Sequence, residues 1–400
     1  VNCSMKLRFC LSIVATIVAL DSAAAAELGE AREATFEPQV LGPSDEGLNA
    51  LPTFDLAEGL QVELVAAEPH LANPVAFAID ERGRYYVAET FRHGQGVLDI
   101  RGRVGWPSQE FKSRLSPERL ANLADELLDV DLAVRTVDDR IAYLQKYMGD
   151  EVSKLAVATD RVRRLVDLDG DGVVDESTVF ADGFRNIADG IGAGVLARKG
   201  QVYFTNIPDL WLFDDYDQDG KPDKSRSLHY GYGVRTGFLG HDLHGLVMGP
   251  DGKIYFSIGD RGTHVQTFDG REIDVPDTGA VFRCYPDGSK LEIYATGLRN
   301  PQELAFDEYG NLFTGDNNSD GGDQARWVYL VEGGDSGWRI GYQFIQKPNA
   351  RGPWNAEKLW YPRFEGQATY LIPPLANIGN GPSGLAYYPG LGLSDEYQGA

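Results

Sequence analysis

Leu246-Val247-Met248-Gly249-Pro250-Asp251-Gly252-Lys253-Ile254-Tyr255-Phe256 sets an apolar run, a tight turn and a second aromatic and aliphatic run in eleven residues. The two runs read as strands of a hairpin, because β-branched and aromatic residues bounded by Asp, Pro and Gly favour that arrangement. The same unit occurs at 77–87 around Gly83, at 195–204 around Gly200 and at 304–313 around Gly310. Gly200, Gly252 and Gly310 are spaced by 52 and then 58 residues, close to the length of a four-stranded propeller blade. The predicted fold is therefore all-β, a six-bladed-type β-propeller.

Between Gly83 and Gly200 the spacing is too long for one blade, and helix signals fill the excess. Ser116-Pro117 is a start signal with Leu120, Leu123 and Leu127 on one helical face. Thr136 precedes a second such segment, with Ile141, Leu144 and Met148 on one face. A helical insertion is expected at about residues 107–158. Residues 27–55 carry Pro38, Pro43 and Pro52 and read as an extended N-terminal arm, leaving 56–400 as the propeller domain. A fifth unit opens at Pro382-Ser383-Gly384-Leu385, so five recognisable blades are expected, the last one truncated.

Glycine makes up 47 of 400 residues without the collagen period, which requires many turns. A formal net charge of −23 argues against nucleic acid, whose phosphates need a basic face, and against an acidic lipid surface. Lys6 and Arg8, the apolar run from Phe9 to Leu20 and the Ala23–Ala26 stretch form an export signal over residues 1–26. The expected location is periplasmic or secreted, with no membrane span in the mature chain. Cleavage leaves Cys284 as the one cysteine, in an alternating strand where a buried, inert thiol is expected. No CxxCH haem motif occurs.

Asp167-x-Asp169-x-Asp171-Gly172-x-x-Asp175 and Asp215-x-Asp217-x-Asp219-Gly220-x-x-Asp223 share one pattern. Alternating carboxylates around a glycine turn suit the oxygen-rich cage of Ca²⁺. They are not EF-hands, since Thr178 and Arg226 stand where a bidentate Glu belongs. The alternative is a pair of polar turns.

Gly240-His241-Asp242-Leu243-His244 precedes one repeat, and Ile258-Gly259-Asp260-Arg261-Gly262 ends that repeat's second strand. Neighbouring strand ends meet near a propeller's channel, where a neutral imidazole held by a carboxylate can abstract a hydroxyl proton. Two hydrogen-bonded structural histidines are the plainer alternative. At the equivalent place before the next repeat stands Gly297-Leu298-Arg299-Asn300-Pro301-Gln302, with Asp316-Asn317-Asn318 at its end. An arginine fork suits carboxylates and an asparagine suits carbonyls.

The run from His241 to Gly262, together with Gly297–Gln302, Asn318–Asp320 and Gly333–Trp338, resembles the soluble PQQ-dependent glucose/sorbosone dehydrogenases. Phe54–Pro69 and the Asp-Gly-Asp-Gly loop are similar to the membrane-bound dehydrogenase domain of planctomycete-type bacteria, a likeness covering about residues 55–400. The resemblance implies oxidation of a sugar or alcohol hydroxyl by pyrroloquinoline quinone (PQQ) with Ca²⁺, and a cytochrome c as electron acceptor. It implies His241 as the proton acceptor and Asp260 as its orienting carboxylate. Arg299, Asn300 and Gln302 become quinone contacts, Asp316 and Asn317 the place where main-chain carbonyls hold Ca²⁺, and His244 and Arg261 substrate contacts. Gly240 departs from the glucose enzymes, which have an aspartate there. A calcium-dependent lactonase and a non-catalytic scaffold propeller stay open, because propellers host many functions.

Overall fold

The computed structural model describes residues 37–100, 112–118, 122–346, 348–361, 364, 371–390 and 392–400. The export signal lies outside the described residues. Among the described residues, four antiparallel blades follow in chain order. Blade 1 is β1 (Pro74–Ile79), β2 (Tyr85–Glu89), β3 (Asp160–Val166) and β4 (Glu176–Phe184). Blade 2 is β5 (Gly194–Arg198), β6 (Gln201–Asn206), β7 (Asp209–Asp214) and β8 (Lys224–Tyr230). Blade 3 contains β9 (Leu243–Met248) and β10 (Ile254–Ile258), then a side hairpin of β11 (Thr263–Gln266) and β12 (Glu272–Val275), then β13 (Gly279–Cys284) and β14 (Glu292–Leu298). Blade 4 is β15 (Pro301–Phe306), β16 (Leu312–Asp316), β17 (Arg326–Leu330) and, after a long excursion, β19 (Ala376–Asn377). A short β18 (Gly334–Asp335) pairs in parallel with β14.

The repeat glycines do what the sequence requires of them. Gly83, Gly200, Gly252 and Gly310 turn the first hairpin of each blade at φ of 79°, 76°, 76° and 81°, a region that disfavours side chains. The expected fifth blade is not formed among the described residues. Among the described residues after Pro382 there is no strand, and the one regular element is a 3₁₀ turn at Asp395–Tyr397. A lone apolar strand without a paired neighbour is marginal in water.

Adjacent blades stack on apolar faces. Phe180, Phe184, Phe204 and Phe213 fill the space between blades 1 and 2. Tyr203, Leu212, Phe256 and Phe282 lie between blades 2 and 3, with Cys284 fully buried beside them as a free thiol. Burial pushes that thiol up to about 12, so it is inert. Tyr255, Leu304, Leu312 and Val328 join blades 3 and 4. The other face of β1 carries Val75, Phe77 and Ile79, all exposed.

The helical insertion leaves at the end of β2 and returns at β3, where Glu89 pairs with Arg161 in the register. A helix, α1 (Glu46–Ala50), comes earlier and corrects the extended reading of the arm: Gly47 packs on Leu64, and a 3₁₀ turn with Pro52 in its first positions follows. In the insertion, α2 (Leu123–Ala133) buries Leu123 and Leu127, as the spacing predicts, while Leu120 lies outside the described residues. The start of α3 (Val137–Met148) is a reciprocal cap, Thr136 Oγ1 accepting from Asp139 N–H and Asp139 Oδ2 from Thr136 N–H. Its buried face is Val137, Arg140, Tyr143, Leu144, Tyr147 and Met148. Ile141, expected on it, sits at its margin because the face is centred on Tyr143 and Tyr147.

Glu89, at the end of β2, is fully buried and joins three segments. Its Oε1 accepts from Ala72 N–H at 2.7 Å and Arg163 Nε at 2.8 Å, and its Oε2 from Arg161 Nε at 2.5 Å. Glu89→Ala is expected to cost about 3–5 kcal/mol, because it strands two buried guanidinium groups. Chemical denaturation should show a lower midpoint with an unchanged slope.

Candidate active site

Chain direction alone sorts the two ends of each blade. The 80–83, 199–200, 250–252 and 307–310 turns lie at one end, together with the hairpins between third and fourth strands. Second-to-third connections and blade-to-blade connections lie at the other. His241, Asp260, Arg299, Asn300, Asp316 and Asn317 all fall at this second end.

His241 sits just before β9 and is 5% exposed. Its Nδ1 is 2.7 Å from Asp260 Oδ1, and Trp338 Nε1–H donates to Asp260 Oδ2 at 2.8 Å. Asp260 N–H donates in turn to Arg299 O at 2.9 Å. Gly259 makes the approach possible, since a Cβ there would stand 2.7 Å from both Asn300 Oδ1 and His241 Cβ. Burial pushes the His241 imidazole below its ordinary pKa, outweighing the attraction of Asp260. Burial opposes ionisation of Asp260 as well, but His241, Arg299 and the Trp338 N–H hold its carboxyl below the usual range. An ionised carboxylate only accepts, so Nδ1 carries the proton and Nε2 keeps a lone pair.

Arg299 and Asn300 link β14 to β15, and their N–H groups both donate to Asp316, at 3.0 and 2.7 Å. Arg326 closes on the same carboxylate. The Arg299 guanidinium lies 5.7 Å from the rings of both Phe238 and Trp338. It donates to Gln343 Oε1 and to Asp320 Oδ2, each at 3.1 Å. Asn300 Nδ2 donates to Gly240 O at 3.2 Å, while its Oδ1 is buried without a partner. Phe238 covers His241 at 5.2 Å and stacks on Phe344. Asn317 N–H donates to Asn300 O at 3.4 Å, and Gln302 lies half-buried on β15.

His244 and Arg261 belong to separate arrangements. On β9, His244 is paired with Ser257, and its Nε2 meets Gly240 O at 3.1 Å, the carbonyl just before His241 that Asn300 Nδ2 also reaches, with no direct bond to His241 or Asp260. Arg261 is 2% exposed and is bound to Asp242 Oδ1 at 2.6 Å and to Arg235 O. Beside it, a cavity of about 10 Å³, room for roughly one water, is lined by Arg140, Leu144, Thr236 and Arg261. The insertion roofs this end: Asp131 accepts from Tyr143 OH and from Thr236 N–H, and Arg140 donates to Ala188 O. Trp338, Phe238, Arg326, Gln343 and Phe344 are participants that residue chemistry did not single out. The signal for Trp338 was its place in the Gly333–Trp338 run.

The two aspartate loops lie at the opposite end, between β3 and β4 and between β7 and β8. Asp167, Asp169 and Asp175 form one cluster and Asp215, Asp217 and Asp223 the other, with oxygens within 4.8 Å of one another in each. Asp171 and Asp219, the third acid of each pattern, stay out of the clusters. Their Oδ1 atoms cap Val173 N–H and Lys221 N–H, both at 2.8 Å.

Several known proteins are similar to this chain. It is 29% identical over 165 residues to quinoprotein glucose dehydrogenase B of Acinetobacter calcoaceticus, covering 35% of this chain and about a third (32%) of that protein's length. Among solved structures, a Thermus thermophilus oxidoreductase described as a glucose dehydrogenase is 16% identical, covering 80% of this chain and 74% of its own at a TM-score of 0.43. The PQQ-bound aldose sugar dehydrogenase of Streptomyces coelicolor has the same identity and TM-score, covering 80% and 73%. Residues 47–335 match a domain of unknown function, DUF7133, and the chain belongs to that family.

Proposed function

We propose that this chain is the catalytic domain of a dehydrogenase that oxidises a sugar or alcohol hydroxyl with PQQ and calcium. The observation that carries the reading is the buried Trp338–Asp260–His241 series beside Arg299 and Asn300. It supplies a neutral base with a fixed tautomer, which proton abstraction from a hydroxyl requires.

The residues fit a polyanionic quinone. The Arg299 guanidinium is a buried cation whose acidic partner, Asp320, is itself half exposed, which suits a carboxylate, whereas Asn300 Oδ1, a buried acceptor without a partner, suits an N–H donor or a cation. Arg299, Asn300 and Gln302 would hold the cofactor. The Asp316 carboxylate is taken up by main-chain N–H groups and Arg326, which leaves main-chain carbonyls at Asp316 and Asn317 for Ca²⁺. When bound, the quinone would supply the acceptor for the hydride, which carries both electrons of the oxidation.

The chain's own part is proton handling. His241 Nε2 takes the hydroxyl proton, and Asp260 keeps the ring oriented and stabilises the imidazolium that results. Phe238 and Phe344 keep water from the ring. His244 and Arg261 shape the wall through Gly240 and Asp242. A cytochrome c would then accept the electrons in the periplasm or outside the cell.

The reading is tested by anaerobic reconstitution of the full chain with PQQ and Ca²⁺ and a dye-linked assay over a panel of sugars and alcohols. Absence of activity with every substrate, alongside absence of quinone binding, would overturn it. His241→Asn is expected to lower turnover by roughly two to four orders of magnitude, the range for losing a general base. The acid limb of kcat/KM is expected below about 6.5, the ordinary histidine value. Protonation of His241 at low pH removes the base, and burial delays that protonation to lower pH. Trp338→Phe keeps an aromatic ring but removes the donor to Asp260, so denaturant titration should show about 1.5–3 kcal/mol less stability. In that variant the less stabilised carboxylate attracts the imidazolium more strongly, and the acid limb should move up.

A further inference from the structure

The two aspartate loops share a sequence pattern but not an electrostatic state. In the β3–β4 loop, Asp167 is partly exposed and uses both oxygens internally, accepting from Gly170 N–H at 2.7 Å and Gly172 N–H at 2.9 Å. In the β7–β8 loop, Asp215 is 1% exposed, and its Oδ2 accepts from Gly220 N–H at 3.2 Å. Its Oδ1 has no hydrogen-bond partner. A carboxylate oxygen removed from water with nothing to accept from is a standing cost. The nearby cation relieves it only in part: Arg84 attracts the Asp215 carboxylate without a hydrogen bond to it, being bound to Asp80 at 2.6 Å and reaching this loop only at Gln218 Oε1, at 3.4 Å.

We propose that Asp215, Asp217 and Asp223 hold one divalent cation, Ca²⁺, and that this ion fastens the outer hairpin of blade 2 to blade 1. The donors are all carboxylate oxygens, hard ligands that suit Ca²⁺ and offer nothing to soft metals. Three carboxylates carry three negative charges, which a divalent ion reduces to one while giving the buried oxygen its partner. The loop also rests on blade 1. Gly220, at φ 90°, lies so close to Arg164 of β3 that a Cβ there would meet the guanidinium at 2.4 Å. Lys199 N–H, in the adjoining turn of blade 2, donates to Glu81 of blade 1 at 3.0 Å. Ordering this loop therefore orders the seam between the two blades. The site lies at the far end from His241 and does not depend on the dehydrogenase reading.

The test uses the full chain, with melting followed by calorimetry in chelator and in excess Ca²⁺. Ca²⁺ should raise the midpoint by roughly 3–8 °C. Asp217→Asn, at an exposed position that leaves packing intact, should sharply reduce that rise, whereas Asp167→Asn should retain it. Asp215→Asn carries a signature of sign: in chelator it should melt at or above the parent, because it removes an unpartnered buried charge, and in Ca²⁺ it should melt below. Tb³⁺ is an independent probe, because Tyr216 within the loop can sensitise its emission while the other loop has Leu168 at that place. Emission should be sharply reduced in Asp217→Asn and should be displaced by Ca²⁺ in the parent. No Ca²⁺-dependent rise in the parent, an undiminished rise in Asp217→Asn, or an Asp215→Asn protein less stable than the parent in chelator would each overturn the proposal.

Discussion

One buried carboxylate, that of Asp260, sets the position of everything around the candidate site. Its two oxygens are divided between an imidazole before β9 and an indole beyond β18, and its own N–H reaches the carbonyl of Arg299. Three chain segments far apart in sequence are thereby placed within ångströms of each other. Such a group persists in a dry interior because its lone pairs are satisfied, and a half-satisfied version would cost more than an apolar replacement. The device recurs at the same end of other blades. Asp316 gathers the N–H groups of Arg299 and Asn300, and Asp160 gathers those of Phe91, Arg92 and Gly192 with the hydroxyl of Thr90. Strand-end aspartates thus do for the connections of this propeller what ladder hydrogen bonds do for its strands.

The two ends of the blades have separate tasks. At one end, polar loops converge under a helical roof and burial tunes the ionisation of His241 and Asp260. At the other, short turns and acidic hairpins stand in water, where their charge is screened and can be compensated by ions. Separation by the length of a strand keeps the surplus negative charge of the acidic loops from acting on the imidazole.

Much of this was legible in the sequence wherever the deciding physics is local. The turn glycines announce four hairpins because the backbone there must take positive φ, and the Thr136 cap announces α3 because a hydroxyl three residues before an acid satisfies two free N–H groups. His241 and Asp260 were legible because they flank a single hairpin. Trp338 was not, since it reaches Asp260 across 78 residues. The closure of Arg326 on Asp316 was hidden for a related reason: an arginine in a strand reads as a solvent-facing cation until its partner across the sheet is known. Asp171 and Asp219 stand outside the clusters with an oxygen on a main-chain N–H two residues on, a placement that the spacing of the acids alone does not reveal. The fifth repeat had the right apolar pattern, but a strand exists only through its neighbour.

The register of blade 1 pairs Glu89 with Arg161, so the helical excursion departs and returns at touching points of one sheet. The closure cost of a loop grows only logarithmically with its length, and the ladder that clamps its base is indifferent to what lies beyond. The blades therefore impose no size on the helical roof at this end. It is the part of the molecule that can lengthen, shrink or be exchanged while the sheet beneath keeps its geometry.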